Sequence, residues 1–154
     1  MISRPDLAER ASAATSSPGA TTPVLVLDPE IELGRGLTQQ LARYGFRADL
    51  AITENAAQVC LRHKLYRAMI VVAELSRPEG LLELQRLREA ALKTWMIVIT
   101  TQSEDEATEN VLRHGGDTCL HRPFRFATLL SRLESLSHET RAVPDPALTS
   151  GKRR

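Results

Sequence analysis

Six consecutive apolar residues, Ala68-Met-Ile-Val-Val-Ala73, form the longest apolar run in the chain. A run of this length that is bounded by charged residues is typical of a strand buried on both faces of a sheet. It is far shorter than the roughly 18 apolar residues that a membrane-spanning helix needs. The run therefore predicts a central strand of a sheet that is covered on both sides.

Four further segments on either side of this run have strand character. These short segments are Val24–Leu27, Phe46–Ala51, Trp95–Ile99 and Asp117–His121. Between these segments apolar residues recur at helical spacing. The helical repeats are Leu33 to Tyr44, closed by Gly45; Ala56 to His63, capped by Thr53; Leu81 to Leu87; a segment opened by a Ser103 and Glu106 capping box and closed at His114-Gly115-Gly116; and Leu129 to Leu136.

This alternation gives five βα units in succession. Such units require a parallel sheet with right-handed crossovers. We therefore predict an α/β fold of the flavodoxin-like, doubly wound kind: a five-stranded parallel sheet in the order 2-1-3-4-5, with helices on both faces. Gly34 and Gly36 lie inside the first helical repeat and lack a third glycine, so they do not form a dinucleotide-binding turn.

Composition limits the domain count and the class of protein. The 154 residues suit one domain, and 20 Lys and Arg against 19 Asp and Glu make nucleic acid an unlikely partner. Cys60 and Cys119 have no metal-ligand or disulfide spacing, which fits a reducing cytoplasm. The first 22 residues lack the apolar core of a secretory signal, so neither secretion nor membrane insertion is expected.

Proline and small polar residues concentrate at the two ends of the chain. We predict a flexible N-terminal tail over residues 1–22, a domain over 23–137 and a flexible C-terminal tail over 138–154. The 17 residues after position 137 leave no room for an output domain, so we expect a stand-alone protein.

The predicted fold also indicates where chemistry would occur. In doubly wound sheets ligands bind at the carboxyl ends of the strands, beside the switch point. The residues predicted at those ends are Asp28, Pro29 and Glu30; Val72, Ala73 and Glu74; Thr100 and Thr101; and Arg122 with Pro123.

Four landmarks among these segments resemble the receiver domain of bacterial two-component response regulators, over about residues 24–137. They are Leu27-Asp28-Pro29-Glu30, the segment Tyr66 to Gly80, Met96-Ile-Val-Ile-Thr100, and the segment Gly115 to Phe124 that contains Arg122-Pro123. The resemblance implies a cis bond at Arg122-Pro123. It also implies a regulatory role without enzymatic activity, in phosphorelay signalling.

The same resemblance exposes departures at the positions that perform the family's chemistry. The phospho-acceptor aspartate aligns with Val72, which supplies no nucleophile. An acid of the metal site aligns with Pro29, which leaves Asp28 and Glu30 as the candidate ligands and makes a Mg²⁺ cofactor doubtful. The lysine of the family's Lys-Pro-Phe segment aligns with Arg122, whose planar guanidinium replaces a compact ammonium group. Thr100 is retained, while the aromatic switch position aligns with Cys119.

We therefore interpret the chain as a degenerate receiver, or pseudo-receiver, that acts by protein binding without phosphorylation. The resemblance implies a histidine kinase, a phosphotransfer protein or another response regulator as partner, and a homodimer is possible. The expected partner surface is formed by Arg113, Cys119, His121, Arg125 and Arg132. We also expect Glu74 to share the face of Val72 if the strand continues. Glu74 would then pair with Arg122, with Asp28 as a further partner of that arginine. The alternative is that Glu74 is a solvated acid of the loop.

Two alternatives remain open on the sequence. One is a small-molecule or anion sensor that uses Arg122 and Thr100 in the same pocket. The other is a receiver that is phosphorylated on a non-standard acid, Asp28 or Glu74.

Overall fold

A computed structural model of the chain describes residues 21–102, 104–137 and Arg141. The strands are β1 (Thr22–Leu27), β2 (Phe46–Ala51), β3 (Ala68–Val72), β4 (Trp95–Thr100) and β5 (Thr118–His121). The helices are α1 (Ile31–Ala42), α2 (Glu54–His63), α3 (Pro78–Ala90), α4 (Glu104–Arg113) and α5 (Phe126–Ser137). The five predicted βα units are confirmed.

The strands form one parallel sheet in the order β2-β1-β3-β4-β5, as predicted. Alternate strand residues point to opposite faces, and each face is buried by its own helices. Leu25, Met69 and Met96 pack with α2, α3 and α4, while Val24, Ile70 and Ile97 pack with α1 and α5. The central strands are therefore apolar on both faces, which explains their unbroken runs.

Several boundaries differ from the predictions by one or two residues. β1 begins at Thr22 because this residue pairs with Phe46 of β2. β3 ends at Val72 and not at Ala73. β5 begins at Thr118, after Asp117, whose carboxylate accepts hydrogen bonds from the Met96 amide and from Arg88.

The predicted helix ends follow from their capping residues. Thr53 accepts a hydrogen bond from the Ala56 amide at the start of α2. Gly45 follows α1 with φ 91° and Gly115 follows α4 with φ 107°, both in the left-handed region that glycine favours. Ser103, the predicted cap of α4, lies outside the described residues, as does most of both predicted tails.

A cluster of charges ties together the edge of the sheet opposite the predicted site. Arg88 is only 9% exposed and donates to the carbonyl oxygens of Ala91, Thr94 and Gly115. Its Nη2 lies 2.7 Å from Asp117 Oδ2, and Arg141 Nε lies 2.9 Å from Asp117 Oδ1. The cluster joins α3, β4 and β5 to a residue beyond α5.

None of the helices in the described ranges is long and apolar enough to span a membrane.

Candidate functional site

The predicted site lies at the carboxyl edge of the sheet, where β1 and β3 are neighbours. Leu27 is paired with Val71, so Asp28 follows β1 at the level where Val72 ends β3. Thr100 ends β4 and is paired with His121, the last residue of β5. The topology therefore brings Asp28, Val72, Thr100 and Arg122 to one edge of the sheet, as the sequence predicted.

Asp28 is the buried acid of this edge, with 1% of its surface exposed. Its Oδ1 accepts a hydrogen bond of 2.9 Å from the Glu30 amide, which fixes the turn into α1. Its Oδ2 is buried and has no hydrogen-bond partner. The α1 backbone passes close by, since a Cβ at Gly34 would lie 3.3 Å from the Asp28 Cβ.

Arg122 supplies the positive charge that faces Asp28. Its Nη2 lies 3.7 Å from Asp28 Oδ2, an ion-pair distance that is too long for a hydrogen bond. The Arg122 amide donates to the Thr100 carbonyl at 2.9 Å, which continues the β4–β5 pairing past β5. The Arg122-Pro123 bond is cis, as the resemblance implied.

Thr100 is buried, and its hydroxyl oxygen accepts a hydrogen bond of 3.2 Å from the Gln102 amide. That contact shapes the turn after β4. Gln102 Oε1 is also buried without a hydrogen bond. The sequence prediction named Thr100 and missed Gln102, which carries no motif.

The predicted pair between Glu74 and Arg122 is wrong. The prediction required β3 to continue past Val72, but the strand ends there. Glu74 is exposed and accepts a hydrogen bond from the Ser76 hydroxyl, while Arg122 faces Asp28. Ser76 was missed by the sequence reasoning, although its position two residues after an acid in a loop is a common local arrangement.

Val72 itself is half-buried and packs with the cluster that includes α1 and α5. Pro29 and Glu30 are both exposed. The edge therefore presents one buried carboxylate beside an aliphatic side chain and a guanidinium.

This donor set does not fit the Mg²⁺ ion that the resemblance implies. Magnesium prefers near-octahedral oxygen ligands, usually with one or two carboxylates and several waters. Here the Arg122 guanidinium lies 3.7 Å from Asp28 Oδ2, and Glu30 donates its backbone amide to Asp28 Oδ1. Within the described ranges, no three His, Cys, Asp or Glu side chains come together as a group that could hold a metal ion.

The residues of the predicted partner surface lie on α4, on β5 and its following loop, and on α5. Arg113 is exposed and pairs with Glu109, and Arg125 is exposed in the loop before α5. Arg132 is half-buried and donates to the Thr118 hydroxyl and to the Cys119 carbonyl, so it braces β5. Cys119 and His121 are also half-buried.

Two charge contacts link α2 to its neighbours. Arg86 of α3 makes a two-pronged pair with Glu54, at 2.6 and 2.7 Å. Asp49 of β2 accepts hydrogen bonds from Lys64 and Tyr66, both at 2.7 Å. Burial and the neighbouring Asp49 carboxylate raise the pKa of the Tyr66 phenol far above its ordinary value. That phenol therefore keeps its proton and donates it to Asp49.

Residues 24–134 match the family described as Response regulator receiver domain. The transcriptional regulatory protein DltR of Streptococcus agalactiae is 28% identical over 120 residues, which are 78% of this chain and 54% of DltR. The transcriptional regulatory protein QseB of Haemophilus influenzae is 25% identical over 113 residues, 73% of this chain and 51% of QseB. The chain thus spans about half the length of these curated relatives.

Solved structures share the fold. A response regulator from Thermotoga maritima superposes with a TM-score of 0.68 at 23% identity, covering 78% of this chain and all of that one (100%). The chemotaxis response regulator CheY4 of Vibrio cholerae gives a TM-score of 0.66 at 20% identity, covering 76% and 99% of the two chains.

Proposed function

Because the chain belongs to the response regulator receiver domain family, we propose that it acts in two-component signalling by binding a partner protein without being phosphorylated. Receiver domains in these systems interact with histidine kinases or with other response regulators, and they are generally signalling domains and not enzymes. The proposal adds that this chain is a pseudo-receiver with no enzymatic activity.

The position of Val72 is the observation that carries the proposal. Val72 is the last residue of β3 and lies level with Asp28, at the edge where the resemblance locates the phospho-acceptor. An isopropyl group has no lone pair with which to attack a phosphoryl donor. The acids nearby are poor substitutes, since Asp28 is 1% exposed and Glu74 points into solvent beside Ser76.

The proposed partner is a histidine kinase, a phosphotransfer protein or another response regulator. A second copy of this chain counts as another response regulator. The proposed docking surface contains the exposed cations Arg113 and Arg125 together with Cys119, His121 and Arg132. We place the protein in the cytoplasm, where such partners present their signalling domains. The stand-alone arrangement expected from the sequence stays a prediction.

The anion-sensor alternative has less support from the geometry. Arg122 would have to bind the anion, but its guanidinium already faces the Asp28 carboxylate at 3.7 Å. A thermal-shift panel of phosphorylated and carboxylated metabolites tests this alternative, and we expect no shift that depends on Arg122.

The absence of phosphorylation is tested with acetyl phosphate and Mg²⁺, followed by intact mass measurement within minutes. We expect no gain of a phosphoryl group on this chain. A conventional receiver domain treated in parallel shows that the donor is active. A stable gain of one phosphoryl group on this chain, mapped to Asp28 or Glu74, would contradict the proposal and support the non-standard acceptor.

Partner binding is tested by affinity capture from a lysate of the source cells, with and without acetyl phosphate, and by identification of the captured proteins. We expect a protein of one of the three named classes, in equal amounts under both conditions. Arg113→Ala and Arg125→Ala together should weaken its binding by about tenfold, or about 1.4 kcal/mol. Arg62→Ala, an exposed arginine on α2, is the matched control. Capture that requires the phosphodonor would refute the proposal.

A further inference from the structure

The buried Asp28 carboxylate has one oxygen without a hydrogen bond. Asp28 is 1% exposed, its Oδ1 accepts a hydrogen bond from the Glu30 amide, and its Oδ2 has no hydrogen-bond partner. A buried carboxylate that stays charged needs a counter-charge, because desolvation strongly disfavours an isolated ion. A cation held beside Asp28 would offset that cost.

The residues around Asp28 do not supply the oxygen ligands that would let a divalent ion serve as that cation. Pro29 has no side-chain oxygen and Val72 is aliphatic. The Thr100 hydroxyl oxygen already accepts a hydrogen bond from the backbone amide of Gln102. A divalent ion bound there would also be repelled by the guanidinium, whose Nη2 is 3.7 Å from the free Asp28 oxygen.

Arg122 has the properties that the balancing cation needs. Arginine is protonated at all pH values relevant to proteins, and its planar fork matches a carboxylate. Its side chain is 29% exposed, so part of the guanidinium remains hydrated while Nη2 reaches the pocket. A shift of less than about 1 Å would convert the 3.7 Å contact into a direct hydrogen bond to Asp28 Oδ2.

We infer that Arg122 is the pocket's built-in cation: its guanidinium replaces the metal ion as the counter-charge of Asp28, so that the domain is independent of Mg²⁺. The ion pair then links the loop after β1 to the loop after β5 permanently, with neither metal nor phosphate needed to join them. This goes beyond the proposed function, which concerns phosphorylation and partner binding.

Thermal unfolding of metal-free protein tests the inference, with MgCl₂ compared against NaCl at matched ionic strength. The Tm of the unaltered chain should change by less than about 1 °C on adding Mg²⁺. Arg122→Met should lower the Tm by about 5 °C, because it leaves the buried carboxylate unbalanced. Mg²⁺ should restore none of that loss, because the pocket still lacks the oxygen ligands that the ion needs. A rise of several degrees in the Tm of the unaltered chain on adding Mg²⁺ would overturn the inference.

A double-mutant cycle with Asp28→Asn tests whether the two residues act through each other. Asn keeps the shape of Asp28 and the acceptor for the Glu30 amide, but it removes the charge. We expect the Asp28→Asn, Arg122→Met protein to lose clearly less Tm than the two single losses added together, and to show no response to Mg²⁺. Additive losses would overturn the inference.

Two further variants guard against unfolding and against general charge effects. Arg122→Lys keeps the positive charge and should fold, with a smaller loss of Tm than Arg122→Met and no Mg²⁺ response; a loss of Tm as large as that of Arg122→Met would contradict the inference. Arg125→Met removes an exposed arginine three residues away and should change neither the Tm nor its response to Mg²⁺. These measurements use neither a phosphodonor nor a partner, so their failure would leave the proposed function standing, and the reverse also holds.

Discussion

Gly80 shows how a single residue shapes the loop that leads from β3 into α3. A Cβ built on Gly80 would lie 2.0 Å from the carbonyl oxygen of Glu74. The obstacle is backbone, so no side-chain rotation relieves it. The loop after Val72 therefore packs against α3 at a distance that only glycine permits.

We predict that Gly80→Ala destabilises the protein by about 1–3 kcal/mol, because the loop or the first turn of α3 must move to admit the methyl group. Urea denaturation measures the change in the free energy of unfolding. Gly36→Ala is the matched control within α1, since nothing lies within 4 Å of the added Cβ. It should stabilise the protein by about 0.5–1 kcal/mol. Equal stability of Gly80→Ala and the unaltered chain would contradict the close approach.

At the scale of elements, α2 and α3 are joined by a small group of charges. Glu54 of α2 accepts two hydrogen bonds from Arg86, and the half-buried Glu83 of α3 lies in the field of both residues. The hydrogen bond from Arg86 lowers the pKa of Glu54 below its ordinary value of 4.5. Burial raises the pKa of Glu83, and the charge of Glu54 raises it further. The two carboxyl groups thus affect stability in opposite directions.

We predict that Glu83→Gln stabilises the domain at pH 7 and has little effect below about pH 4. Because its pKa is raised, folded Glu83 holds its proton more tightly than unfolded Glu83 does. The cost of its charge therefore develops as the pH rises from 4.5 through the raised pKa. Urea midpoints measured from pH 4 to pH 7 test this, and a gain that is constant with pH would refute it.

Glu54→Gln provides the comparison of opposite sign. The lowered pKa means that the charged form of Glu54 stabilises the folded state above pH 4.5, and that this contribution is lost as the pH falls through the lowered value. Glu54→Gln should therefore destabilise at pH 7 and lose its effect in acid. The loss should be below about 1 kcal/mol, because Arg86 is 52% exposed and its pairing is screened.

At the scale of the whole molecule, two apolar layers share one sheet. Met69 and Ile70 are neighbours on β3, both 0% exposed, and they belong to opposite layers. Since every central strand contributes to both layers, neither layer can lose its packing without disturbing the other.

We predict that Met69→Ala and Ile70→Ala each destabilise the protein by about 2–5 kcal/mol and that both variants still unfold in one transition. The fluorescence of Trp95, the single tryptophan of the chain, and far-UV circular dichroism should give coincident urea curves. Curves that separate in either variant would show that the layers unfold independently.

The order of elements could be predicted because it depends on local patterns. Apolar runs bounded by polar residues locate strands, and Gly45 and Gly115 mark helix ends through their positive φ. The boundaries were less predictable. Thr22 belongs to β1 because of its partner Phe46 on a different strand, and nothing local to Thr22 indicates that pairing.

The sequence by itself determined which side chains reach the carboxyl edge, because all strands of a parallel βα sheet end at the same edge and the apolar runs locate the strand ends to within one residue or two. Only the tertiary structure decided which charges meet there. The turn after Val72 carries Glu74 into solvent, and the loop after β5 brings Arg122 to Asp28. These pairings change if a loop moves by a few ångströms, so local sequence does not predict them. The sheet depends on the burial of whole apolar segments, and these are visible in the residue pattern.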